Sequence, residues 1–119
     1  VNALIVSNTT IERPAHLTSD DREEVGGLSG QPLFQISTRA LRLFAQVLQG
    51  RLPLIGAGGV DSGAAAFAKI KAGASAVQLY SALVYEGPGL AARIARELDA
   101  LLAAEGFSNV AEAVAADNA

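Results

Sequence analysis

Leu52-Pro53-Leu54-Ile55-Gly56-Ala57-Gly58-Gly59, followed by Ala76-Val77-Gln78-Leu79-Tyr80-Ser81, is the stretch on which the fold turns. Both halves open on a short apolar run, the pattern of a strand covered on both faces. Between them Asp61 or Ser62 can cap a helix, Ala64, Phe67 and Ile70 supply its inward face, and Gly73 stops it. Strand, helix, strand in that order is the signature of parallel strands joined by a crossover. The same unit recurs upstream. Ala3-Leu4-Ile5-Val6-Ser7 reads as a strand, and a helix is expected from Ser37 or Thr38, with Leu41, Phe44, Val47 and Leu48 inward and Gly50 as its stop. Between these lies a polar segment from Asn8 to about Leu33, long enough to suggest a lid or binding loop. Downstream, Gly87-Pro88 opens a long helix with Leu90, Ile94, Leu98, Leu101 and Leu102 buried and Arg93 and Glu97 outside. Gly106 ends it, and Val110 to Ala115 suit a short tail helix.

Three such units fit either an open doubly wound sheet or a (β/α)₈ barrel. A complete barrel takes about 250 residues, and this chain has 119. The expectation is therefore an α/β segment of a barrel. An opening strand without a starting Met suggests that further chain precedes it.

Composition narrows the chemistry. A formal charge of −3 leaves no strongly basic face, which speaks against nucleic acid as a partner. The absence of cysteine excludes thiolate nucleophiles, disulfides and Cys-ligated metal sites, and one histidine without HxxxH or HExxH spacing speaks against a His-based metal site. The uncharged stretches are too short and too broken by Gly, Ser and Gln to span a bilayer, which needs about 20 apolar residues.

Two loops then stand out. Gly56-Ala57-Gly58-Gly59 leaves one strand and Tyr80-Ser81 leaves the next. Glycine lets backbone approach a ligand closely, and free N–H groups in such turns bind anions. Barrels often hold phosphate between the loops after their last two strands. Ordinary tight turns would also use these glycines, but the spacing favours a phosphate cradle. A Rossmann loop is disfavoured, since Asp61 stands where the last glycine of GxGxxG belongs. Ser7-Asn8-Thr9-Thr10, at the mouth of the first strand, could hold a polar planar ligand or simply make a turn. Gly26-Gly27-Leu28-Ser29-Gly30 implies either close approach to a ligand or flexible filler, which composition does not separate. His16 and the acidic run Asp20 to Glu24 read as solvated, and Tyr85 and Glu86 as packing and capping. No residue stands out as a nucleophile or general base.

Taken in order, Ser-Asn-Thr-Thr, Gly-Gly-Leu-Ser-Gly-x-Pro-Leu, Leu-Ile-Gly-x-Gly-Gly-Val and Gly-Ala-Ser-x-Val-Gln-Leu-Tyr-Ser resemble the C-terminal part of the quinone-dependent (class 2) dihydroorotate dehydrogenases. The Leu28-Ser29 motif is the best mark of that class. The resemblance runs from about Val1 to Ala115. It implies strands six to eight of a (β/α)₈ barrel, with residues 1–119 forming the C-terminal part of one FMN-binding domain. It implies oxidation of dihydroorotate to orotate in pyrimidine synthesis, with quinone as electron acceptor and a peripheral place on the cytoplasmic side of the membrane. By the same resemblance Asn8 and Thr9 contact substrate, and Ser7, Gly30, Gly59, Tyr80 and Ser81 contact FMN. The family's serine base, an active-site lysine, most contacts to the flavin ring and the segment that meets quinone lie upstream of this chain. It is thus expected to carry no catalytic residue, to be inactive alone, and to self-associate through open sheet edges. Alternatives are another phosphate-binding barrel, such as an IMP-dehydrogenase-like oxidoreductase or a synthase of amino-acid biosynthesis, and a non-catalytic phosphate-binding fragment.

Overall fold

The computed structural model describes residues 1–118. Strand β1 (Leu4–Val6) leads through a long loop and a 3₁₀ turn (Gln31–Leu33) into helix α1 (Phe34–Leu48). Then follow β2 (Leu54–Ala57), α2 (Gly63–Ala72), β3 (Ala76–Gln78), α3 (Ser81–Glu86), α4 (Leu90–Ala104) and α5 (Val110–Ala113). The strands form one parallel sheet in the order β1-β2-β3. Leu4 pairs with Leu54, and Ala57 with Gln78. The carboxyl ends of all three strands therefore open at the same edge of the sheet.

The helices cover the sheet through small-residue contacts. Leu41 of α1 packs with Val6, Leu54, Ala72 and Ala74. Val60, Ala66, Leu90 and Ile94 join α2 to α4 beneath Val77 and Leu79. Phe67, Ile70, Leu102 and Ala113 close the far end, where Phe67 meets Phe107 edge to face. Ser62 caps α2 by accepting from the Ala65 amide at 3.1 Å.

Several local expectations shift. Helix α1 starts at Phe34, before Ser37, because Pro32 nucleates the 3₁₀ turn that runs straight into it. Phe44 and Val47 are exposed, whereas Ala45 and Leu48 pack beside Leu41. At 100° per residue Val47 stands about 120° around the helix from Leu41. Ala64 is likewise outside and Ala66 takes its place in the core. Gly56 and Ala57 belong to β2, so the turn itself is Gly58-Gly59. Tyr85 is exposed rather than packed, and Glu86 pairs with Arg93 instead of capping.

Candidate functional site

The three strand exits surround one cleft of about 740 Å³. Ser7, Asn8, Thr9, Gly30, Gly59, Tyr80 and Ser81 all line it, although they are spread from one end of the first unit to the start of the third. Topology brings them together. The in-register pairing of Ala57 with Gln78 makes Gly58-Gly59 and Leu79-Tyr80-Ser81 leave neighbouring strands side by side.

The Gly58-Gly59 turn is shaped by what lies beneath it. Both residues have positive φ, 101° and 76°. A Cβ on Gly59 would lie 2.6 Å from the Cβ of Phe34 and 2.8 Å from its backbone nitrogen. No side chain fits there, so the turn rests directly on the start of α1. Among the described residues the amides of Gly59 and Val60 donate to no backbone or side-chain acceptor, and both residues line the cleft. Unpaired N–H groups facing a cavity are what an anion would satisfy.

The opposite wall comes from the long loop, which is far from featureless. Thr10 and Leu28 form an antiparallel bridge through hydrogen bonds of 3.2 and 2.7 Å. Arg13 holds the loop between them: Nε donates to Arg22 O at 2.7 Å, and Nη2 to Glu24 O at 2.9 Å and Gly26 O at 2.8 Å. Its Nη1 reaches Thr10 O and Glu12 O. The bridge carries Ser29 and Gly30 back over the cleft, where Ser29 and Ser81 hydroxyls lie 2.9 Å apart. A Cβ at Gly30 would stand 3.7 Å from that of Ser81. Asn8 Oδ1 accepts from the Thr9 amide at 2.8 Å, fixing the exit from β1. His16 and Asp20 to Glu24 are exposed on the outside of this loop.

Two acidic residues, Asp61 and Glu86, also line the cleft. Arg93 pairs with the carboxylate of Glu86 at 3.2 Å and donates to the backbone carbonyl of Asp61 at 3.2 Å. It thereby ties the loop after β2 to the end of α3. A half-buried Arg93 with this role differs from the solvated position its helical spacing suggested.

The family model for dihydroorotate dehydrogenase matches residues 1–102. The chain belongs to the dihydroorotate dehydrogenase family. A dihydroorotate dehydrogenase (quinone) from Azorhizobium caulinodans is 56% identical over 117 residues, which make up 98% of this chain and 33% of the relative. The mitochondrial dihydroorotate dehydrogenase (quinone) of Mus musculus is 49% identical over 99% of the chain and 30% of its own length. The ligand-free DHODH structure from Eimeria tenella superposes with a TM-score of 0.96 at 41% identity, covering 99% of this chain and 33% of that one. The chain thus spans about a third of the length of the dihydroorotate dehydrogenases it matches. The family is flavin-dependent.

Residues that sequence reasoning passed over also shape this segment of the dehydrogenase fold. Ser37 and Lys69 are wholly buried under the Gly58-Gly59 turn. Lys69 Nζ donates to the Ser37 hydroxyl and, at 3.2 Å, to Ala57 O. Ser37 Oγ in turn lies 3.0 Å from Gly58 O and 3.1 Å from Phe34 O. Burial without a carboxylate pushes the Lys69 ammonium down to about 8. A signal was present: Lys69 falls between Ala66 and Ile70 on the apolar stripe of α2, where a solvated lysine does not belong. Arg13 gave no such signal, because its partners are backbone carbonyls scattered along the loop.

Proposed function

We propose that this chain is the last three β/α units of a (β/α)₈ barrel, residues 1–119 forming the C-terminal part of one FMN-binding domain in a quinone-dependent dihydroorotate dehydrogenase. In that reading Gly59 and Ser81 hold the FMN phosphate, helped by Tyr80, while Ser7 and Gly30 approach the flavin. Asn8 and Thr9, at the mouth of β1, orient dihydroorotate by hydrogen bonds to its polar edge. FMN, held by these residues, would supply the two-electron acceptor for the hydride of dihydroorotate, with quinone as the final electron acceptor. The chain's own residues bind and orient; the proton-abstracting base and the quinone contact are expected from chain outside this segment. A peripheral position on the cytoplasmic side of the membrane belongs to the same reading. Among the described residues no helix is long and apolar enough to cross a bilayer.

One observation carries the proposal: the Gly58-Gly59 and Tyr80-Ser81 turns leave adjacent, in-register strands and line a single cleft with unpaired amides at Gly59 and Val60. The amide geometry suits a dianion, since fixed dipoles need no reorganisation to meet its charge. Native mass spectrometry of the full-length protein carrying this segment, with and without FMN, tests it. FMN retention, together with binding at least about tenfold tighter than riboflavin, is expected from a phosphate contact worth about 1.4 kcal/mol or more. Equal affinity for the two flavins would refute the phosphate cradle. Binding of inorganic phosphate without flavin would favour a non-catalytic module.

A further inference from the structure

Lys69 is the most buried ionisable group of the chain, and the reading above gives it no task. It sits at the inner face of α2, fully enclosed. Among the described residues the ion pairs involve the partly buried Lys71 and Arg93, and none reaches Lys69. Its surroundings are Ser37 and Phe34 from α1, with the Phe34 ring centroid 5.2 Å from Nζ, and the Ala57 carbonyl from β2. Gly56 completes the pocket: a Cβ there would stand 3.2 Å from Lys69 Cδ.

A buried cation without a counter-ion is costly, and proteins keep one only where other contacts offset the cost. Here the hydrogen bonds run in one direction. Lys69 holds Ala57 O directly, and it holds Gly58 O through the Ser37 hydroxyl. These are successive carbonyls of the segment that must turn sharply at Gly58 and Gly59. Because the C=O and N–H of one trans peptide point opposite ways, holding Gly58 O inward turns the Gly59 amide outward, and that amide has no partner and lies beside the cleft. The unbalanced positive charge lies beneath the same turn that presents that amide.

We propose that Lys69 is a positioning residue for the anion cradle: through Ala57 O and Ser37 it locks the Gly58-Gly59 turn with the Gly59 amide offered to the cleft, and supplies the buried charge that a phosphate balances. The proposal rests on the reading of this turn as the FMN phosphate site. It predicts a dependence on the phosphate group, because what Lys69 holds is the turn assigned to the phosphate and its own charge is the one that an anion balances.

The test is flavin titration of the full-length protein that carries this segment, comparing FMN with riboflavin, for wild type, Lys69→Met and Ser37→Ala. Lys69→Met is expected to weaken FMN about ten- to hundredfold and to leave riboflavin affinity within about threefold, the scale of lost charge-assisted hydrogen bonds. Ser37→Ala, which removes the relay to Gly58 together with the Phe34 carbonyl contact but leaves the direct Lys69 bond to Ala57 O, is expected to weaken FMN about three- to tenfold with riboflavin again unchanged. Parallel loss of both flavins, or unchanged FMN affinity, would overturn the positioning role. If Lys69→Met does not fold, Ser37→Ala decides by the same criterion. A wild-type protein that binds both flavins equally would instead remove the phosphate reading of the turn, a result visible before any variant is made.

Discussion

The cleft has two walls built on opposite principles. One is the Gly58-Gly59 turn, fixed from below by buried groups: Phe34 against its backbone, and Ser37 and Lys69 on its carbonyls. The other is the loop from Asn8 to Gly30, exposed along most of its length and fixed by one guanidinium and one isolated bridge. The first wall cannot change without repacking the core. The second can open by releasing hydrogen bonds already in contact with water, which are worth little individually. A rigid floor and a releasable cover are what the proposed division, FMN phosphate on the turn and substrate under the loop, requires.

The largest effect is expected where the floor is broken. Gly59→Ala forces a side chain into Phe34 at a φ of 76°, and should destabilise the full-length protein by about 2 kcal/mol or more. Thermal unfolding should show this, and the purified protein should lose its flavin. Retention of flavin with an unchanged melting temperature would show that the turn is not constrained as described.

Breaking the cover should act on substrate instead. Arg13→Ala removes the contacts to Arg22, Glu24 and Gly26 carbonyls. It is expected to raise the dihydroorotate KM about tenfold, speed proteolytic nicking between residues 12 and 26, and leave FMN content unchanged, in line with roughly 1.4 kcal/mol of lost loop order. Asn8→Ala should give a similar rise in KM without the faster nicking, which separates contact from loop order. FMN loss in Arg13→Ala would mean that the two walls are not independent.

A subtler distinction is pH. Burial pushes the Lys69 ammonium down to about 8. Because a dianion prefers the charged ammonium, FMN affinity should decline as pH rises through about 8, while riboflavin affinity does not follow. The groups packed against Lys69 from α1 and β2 are a hydroxyl, a phenyl ring and a carbonyl, so no neighbour titrates with it. Isothermal titration between pH 7 and pH 9 checks this, and Lys69→Met should flatten the profile.

The smallest effect concerns where the walls meet. Ser29→Ala removes a partly exposed hydroxyl pair with Ser81 and should cost less than about 1 kcal/mol, read as at most a few-fold change in KM. The isolated chain offers a separate check on the open sheet. Ile5 on the β1 edge and Leu43, Phe44 and Val47 on α1 are exposed, so sedimentation should show self-association. A monodisperse monomer would count against that.

Much of this was legible in the residue order. The apolar runs at Leu4, Leu54 and Ala76, separated by helical stripes, point to parallel strands, but the expected cover on both faces is incomplete here, since Ile5 of β1 and Ala76 and Gln78 of β3 are exposed. Three of the four motifs lie at strand exits and the fourth closes the long loop against them, so all four line one cleft. Less legible were the faces of α1: Phe44 and Val47 have the right spacing for a core, but their partner surface is not supplied by these residues. Glycines in the loop could not be told from filler, since the Thr10–Leu28 bridge joins positions far apart in sequence.

By itself, then, the sequence determined that three β/α units follow one another and which turns carry glycine and serine, because local pattern sets period and backbone freedom. Only the tertiary structure decided which turn the inward-facing Lys69 lies under, which carbonyls it holds, and that Arg13 gathers a loop by its carbonyls. Those roles depend on backbone atoms brought near by folding, and a carbonyl leaves no trace in the identity of its residue.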